Sequence, residues 1–165
     1  MTSIIPAARI HLDELAAKPL AALLRLEGAI SLDPTVRGLV TVRASQVNGC
    51  AVCIDMHWKD ARAAGETEAR LYSLDAWRES RFYSDRERAA LALCEAMTLI
   101  TDGHVPDQVW EQARAEFGDE ELAHLVFEII AINAWNRLMI SARVEPGHYQ
   151  PGMAEQVAAQ FAGAR

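Results

Sequence analysis

The chain has 165 residues, 51% hydrophobic and 24% charged, which suits one folded domain long enough to bury a core. Its 23 acidic residues outnumber 16 Lys and Arg, giving a net charge of -7. That balance argues against nucleic acid or an anionic membrane surface as a partner, since both need clustered cations.

The opening stretch, MTSIIPAARIHLDELAAKPLAALL, lacks the form of a signal peptide because Pro6, Arg9, Asp13 and Glu14 interrupt any apolar region. No apolar run reaches the ~20 residues of a membrane span. Even HLVFEIIAINAW carries Glu128 and Asn133. A cytoplasmic protein is expected, and in a reducing compartment paired cysteines point to catalysis or metal binding.

The predicted elements are helical nearly throughout. Asp33 and Pro34 read as an N-cap and a first-turn proline opening a helix over residues 34–48. Asn48 and Gly49 end it, because both tolerate the left-handed backbone. A second helix runs from about Cys50 to Ala64, with Gly65 as its stop. Thr67 caps a short segment to Leu74. SDRE, residues 84–87, has the form of a capping box and opens a helix in which Ala89, Leu93, Ala96 and Ile100 recur at helical spacing.

Pro106 begins a further helix that Gly118 ends, and Asp119 caps the last long one. There Leu122, Leu125, Val126, Ile129, Ile132 and Ala134 spread so far around the axis that the helix should be central. EPGHYQPG ends regular structure, and the tail from Met153 is either an amphipathic turn or a frayed end. GLVTVRA is the only strand candidate, and its surroundings favour helix. The expected architecture is all-α, a single-domain helical bundle.

QVNGCAVCIDMHWKD concentrates the chemistry. Cys50, Cys53 and His57 are spaced three and four residues apart, so a helix presents all three on one face. A disulfide between Cys50 and Cys53 is geometrically reasonable, since such a pair lies ~5–6 Å apart at Cα. Cys50 falls in the first turn, where free amides and the helix dipole favour a thiolate. His57 can take a proton or, as imidazolium, stabilise that thiolate.

Three readings compete. The favoured one is a redox pair, in which a thiolate attacks a peroxide or disulfide and its neighbour resolves the product. A zinc site would need four ligands, and Cys94 or His124 would have to arrive from other helices. In the third, the cysteines are small core residues and His57 lies at the surface.

Elsewhere Cys94 reads as a buried small residue and His124 as a packed, hydrogen-bonded histidine. Asn133 and Asn136 need partners on so apolar a helix and favour a structural role. Trp58 points about 100° away from His57 and reads as a packing residue. Asp55 and Lys59 form an i,i+4 pair.

The stretch VRASQVNGCAVCIDMHWKDARAAGE resembles the core motif of the AhpD-like alkylhydroperoxidases in the carboxymuconolactone decarboxylase family. WRESRFYSDRERAALALCEAMTLI, VPDQVWEQARAEFGDEELAHL and INAWNRL extend the resemblance over a core of residues 20–149, within one domain spanning 1–165. It implies a helical fold, a homo-oligomer (trimer or hexamer) and a thiol-dependent peroxidase that uses no cofactor and no metal. The substrate would be an organic hydroperoxide, and an external dithiol or thioredoxin-like protein the reductant. By motif position Cys53 resembles the peroxide-attacking cysteine, Cys50 the resolving one and His57 the proton-relay histidine.

The family's relay glutamate lies twelve residues before the first cysteine, where this chain has Gly38. Glu87, Glu95 or Asp55 would have to supply a carboxylate from elsewhere, or Gln46 hold the relay water. Otherwise the chain would serve mainly as a dithiol-disulfide oxidoreductase. The cysteine pair itself argues against decarboxylation, because decarboxylases of the family generally lack it.

Overall fold

A computed structural model describes residues 8–161, so Pro6 of the interrupted N-terminal stretch lies outside the described residues. Among the described residues every regular element is helical. In chain order these are α1 (Leu12–Leu15), α2 (Ala17–Gly28), α3 (Pro34–Asn48), α4 (Ala51–Ala63), α5 (Glu68–Tyr72), α6 (Asp85–Thr98), α7 (Asp107–Ala142) and α8 (Met153–Phe161). A 3-10 turn, Leu74–Ala76, follows α5.

The boundaries follow local chemistry. Asp33 Oδ1 accepts from the amides of Thr35 and Val36, each at 3.0 Å, with Pro34 seated in the first turn. At the other end of α3, Gly49 has φ 71°, in the region where a side chain would be strained. Ser84 and Glu87 form both arms of the capping box of α6. Thr67 caps α5 through Oγ1, although that helix stops at Tyr72.

Gly118 breaks α7 as its position implies. It takes a non-helical φ of 66°, so α7 consists of two helical segments that meet at a kink there. The tail from Met153 forms α8, an amphipathic helix rather than a frayed end.

The core has two parts with α3 between them. On one side Val36, Val40 and Ala44 of α3 pack with Leu93 and Cys94 of α6 and with Leu125, Ile129 and Ile132 of α7. On the other, Leu39 and Val42 meet Ala61, Leu71, Leu74, Trp77, Tyr83 and Leu91. α7 is central as expected, and α3 shares that position. By length and composition α7 could also cross a membrane. Here its second segment carries core residues together with buried Glu128 and Asn136.

The two asparagines of α7 explain how the end of α3 is held. Asn48 Nδ2 donates to Asn133 Oδ1 at 3.0 Å and to Asn136 Oδ1 at 2.8 Å. Asn136 Nδ2 donates to Ser45 Oγ, and Asn133 Nδ2 to Thr98 Oγ1, both at 3.0 Å. This lattice fixes the α3–Gly49–α4 corner against α7, which sets the start of the cysteine helix. Asn136 is fully buried. Truncating it in Asn136→Ala should lower stability by about 1–3 kcal/mol, read as a reduced thermal midpoint, because Asn48 and Ser45 lose partners away from water.

Candidate active site

Cys50 is the N-cap residue of α4, with extended backbone (φ -86°, ψ 95°). Its amide donates to Ser45 O at 2.9 Å, locking the corner, and its carbonyl accepts the first helical bond from Ile54. Cys53 lies in the first turn and His57 one turn further along the same face. Cys50 and Cys53 are joined as a disulfide, with Cα atoms 5.4 Å apart. Both are deeply buried, at 1% and 2% exposure.

A cavity of about 780 Å³ opens over this face. Cys53 and His57 line it, whereas Cys50 stands behind Cys53 and does not. Its walls are largely apolar, from Leu24, Leu32, Val52, Met56, Trp135 and Met139. The roof comes from the segment after α7 and from Met153, Ala154 and Val157 of α8. Three contacts pin that segment to α4. Gly147 N donates to Asp55 Oδ2 at 3.0 Å, Lys59 Nζ donates to Tyr149 O at 3.0 Å, and Tyr149 OH donates to Asp60 at 2.8 Å. The Asp55–Lys59 pair therefore also serves as an anchor for the roof.

His57 is neutral at ordinary pH. Burial first, and the nearby Arg37 charge second, lower its pKa to about 4. Its Nε2 is buried without a protein hydrogen-bond partner, so the ring can accept a proton from a group in the cavity. The structure thus favours a neutral base over the imidazolium that spacing alone allowed.

The carboxylates weighed from the sequence are committed elsewhere. Glu87 caps α6 and pairs with Arg70, while Glu95 binds Arg43, Arg78 and the Trp77 indole. Asp55 holds Lys59 and the Gly147 amide, and Gln46 accepts from Arg43. None of the four lines the cavity. Each is drawn to a cation or a helix terminus on another face.

The buried carboxylate on the cavity wall is Glu128, from the middle of α7 and 1% exposed. Burial raises its pKa to about 7 against the opposing pull of Arg37. Its Oε2 lies 3.0 Å from Arg37 Nε, an ion pair not aligned as a hydrogen bond. Glu27 also faces the cavity, accepts from Trp135 Nε1 at 3.1 Å, and has its pKa raised by burial. The sequence did carry a signal for Glu128: a lone acid within the apolar run LVFEII. At Gly38 an added Cβ would meet Ala61 Cβ at 3.4 Å, ordinary contact for a helix pair this close.

The other candidates sit apart. Cys94 is fully buried on α6, its thiol donates to Val40 O at 3.4 Å, and burial pushes its pKa up to about 12. His124 Nδ1 accepts from the Ser31 amide at 3.2 Å and does not line the cavity. Neither joins the cysteine pair. Among the described residues no group of three or more His, Cys, Asp and Glu is arranged to hold a metal ion. Trp58 packs against the second core cluster.

An all-helical bundle with a buried Cys-x-x-Cys pair, a histidine one turn on and an apolar cavity above them defines the AhpD-like class of proteins. The chain belongs to the carboxymuconolactone decarboxylase family, whose sequence pattern matches residues 17–96. It is 50% identical over 111 residues to the uncharacterized protein YdfG of Bacillus subtilis, covering 67% of this chain and 76% of YdfG. It also resembles ATU0492 from Agrobacterium tumefaciens, a protein of unknown function assigned provisionally to AhpD antioxidant defence. That similarity has a TM-score of 0.84 and 35% identity over 87% of this chain and 100% of the other. The debrominase Bmp8 shares the fold alone, with a TM-score of 0.63 and 14% identity over 83% of this chain and 71% of its own. Enzymes are thus among the proteins built on this architecture.

Proposed function

We propose that the protein is a thiol-dependent peroxidase that reduces organic hydroperoxides through Cys53 and Cys50. The observation that carries this reading is the placement of Cys53 on the cavity beside a neutral, unpartnered His57, with Cys50 directly behind it. In the reduced protein the Cys53 sulfur attacks the terminal oxygen of the hydroperoxide while His57 takes the thiol proton in the same step. An S–O bond forms, the O–O bond breaks, and the alkoxide leaves as an alcohol after protonation. Glu128, titrating near 7, holds the proton that the alkoxide collects.

The Cys50 thiol then attacks the Cys53 sulfenic acid, releasing water and forming the disulfide. Two electrons from an external dithiol, or from a thioredoxin-like protein with a slender reactive loop, restore both thiols.

Stopped-flow mixing of reduced protein with cumene hydroperoxide is the test. One disulfide per chain should form, with one equivalent of cumyl alcohol released. Rapid reaction with small disulfides and none with peroxide would replace this reading with dithiol-disulfide exchange. Stoichiometric zinc that survives purification and is lost in Cys50→Ala would replace it with metal binding.

A further inference from the structure

The cavity combines extensive apolar walls with an excess of acid. At about 780 Å³ it has the capacity of a site for a drug-sized ligand, far beyond what hydrogen peroxide would require. Met56, Met139 and Met153 contribute flexible thioether surface to three different walls, which lets the space adapt to bodies of different shape.

Its charges point the other way. Four carboxylates line it, from Glu27, Asp60, Glu128 and Glu145, against Arg37 as the one Lys or Arg among the described lining residues. Arg37 is already engaged. Its Nη2 donates to Ile30 O at 2.7 Å, its Nε faces Glu128 at 3.0 Å, and its charge also acts on Glu27. The lining imidazoles are His57, held neutral, and His148 at the exposed rim. A second anion entering this space would find no unshared cation and would face carboxylates in a medium of low dielectric, where repulsion is strong.

We propose that this cavity selects bulky, neutral, apolar hydroperoxides and turns away those that carry a carboxylate, with Glu27 and Glu145 setting the selectivity. The inference rests on the peroxidase reading for its chemistry, but the selectivity belongs to the cavity and can be measured without turnover. Glu27 bonds the Trp135 indole, which places its charge beside an apolar wall. Asp60 bonds Tyr149 in the roof. Glu145 stands exposed at the rim, where an arriving anion would meet it first.

The test is a matched pair differing only in charge: cumene hydroperoxide and its para-carboxylate, reacted with reduced protein at pH 8. The neutral peroxide should oxidise the thiols at least roughly tenfold faster, and the gap should narrow as salt is raised. Glu27→Gln keeps an acceptor for Trp135 while removing the charge, and should speed the carboxylated peroxide relative to the neutral one. Glu145→Gln, at the exposed rim, should shift the ratio the same way without disturbing packing. Equal rates for the pair, or faster reaction of the carboxylate, would overturn the selectivity.

If neither peroxide oxidises the protein, the peroxidase reading fails by itself. Calorimetric binding of the two unreactive alcohols, cumyl alcohol and its para-carboxylate, then decides the selectivity separately. Tighter binding of the neutral alcohol would uphold it, and equal or reversed binding, or no binding of either, would reject it.

Discussion

Replacing Cys53 by serine should slow peroxide-dependent thiol oxidation at least ~10³-fold, because an alcohol is not ionised by a neutral imidazole to any useful extent at neutral pH. Cys50→Ser should behave differently. Its Cys53 remains on the cavity beside His57, so the first step should continue and the product should stop at the sulfenic acid. Trapping with a sulfenic-acid reagent and measuring the intact mass distinguishes the two variants. The third cysteine supplies an internal control. Cys94 is fully buried with its pKa pushed up to about 12, so its thiol should persist through both experiments. A Cys53→Ser protein that matches wild type, or an adduct on Cys50 rather than Cys53, would reverse the assignment.

Capping chemistry makes α3, α4 and α6 legible in the sequence. Asp33-Pro34, Asn48-Gly49 and the Ser84–Glu87 box are short-range signals, decided by backbone atoms within a few residues. The alignment of Cys50, Cys53 and His57 was legible for the same reason, since one helix carries all three. What could not be read was anything assembled from distant segments. Glu128 reaches the site from α7, and α8 closes the cavity from beyond the stretch that carried the family resemblance.

Three other carboxylates stay away from the cavity wall for a related reason. Asp55 lies inside the motif and Glu87 and Glu95 well downstream of it, and each is claimed by an arginine, a lysine or a helix terminus elsewhere. Proximity in the chain says little about which face of a bundle a side chain serves. Glu128 had the better signal, because an acid surrounded by Val126, Phe127, Ile129 and Ile130 must find an unusual environment. Its exposed neighbours Phe127 and Ile130 do not line the cavity.

Glu128→Gln should reduce the peroxide rate by about 10²- to 10⁴-fold, the usual scale for losing a positioned proton donor or acceptor. It should also abolish the limb of the pH–rate profile that titrates near pH 7, whereas a variant damaged only in structure would keep that limb at lower amplitude. Stability gives an independent readout with a definite sign. The folded-state pKa of Glu128 is raised from 4.5 to about 7, so its protonated form favours the native state. That contribution is fully present below pH 4.5 and is lost as pH rises through 7, an effect of about 3 kcal/mol for a carboxyl so deeply buried. The lowered pKa of His57 acts in the opposite direction, costing stability as pH falls below 6.5 towards 4. Both proteins share the histidine, so the difference between their stability curves isolates Glu128. Between pH 5 and pH 8, wild type should lose stability relative to Glu128→Gln in chemical denaturation. Parallel curves across that range would show that Glu128 is ionised throughout, and would remove it as the group holding the proton for the departing alkoxide.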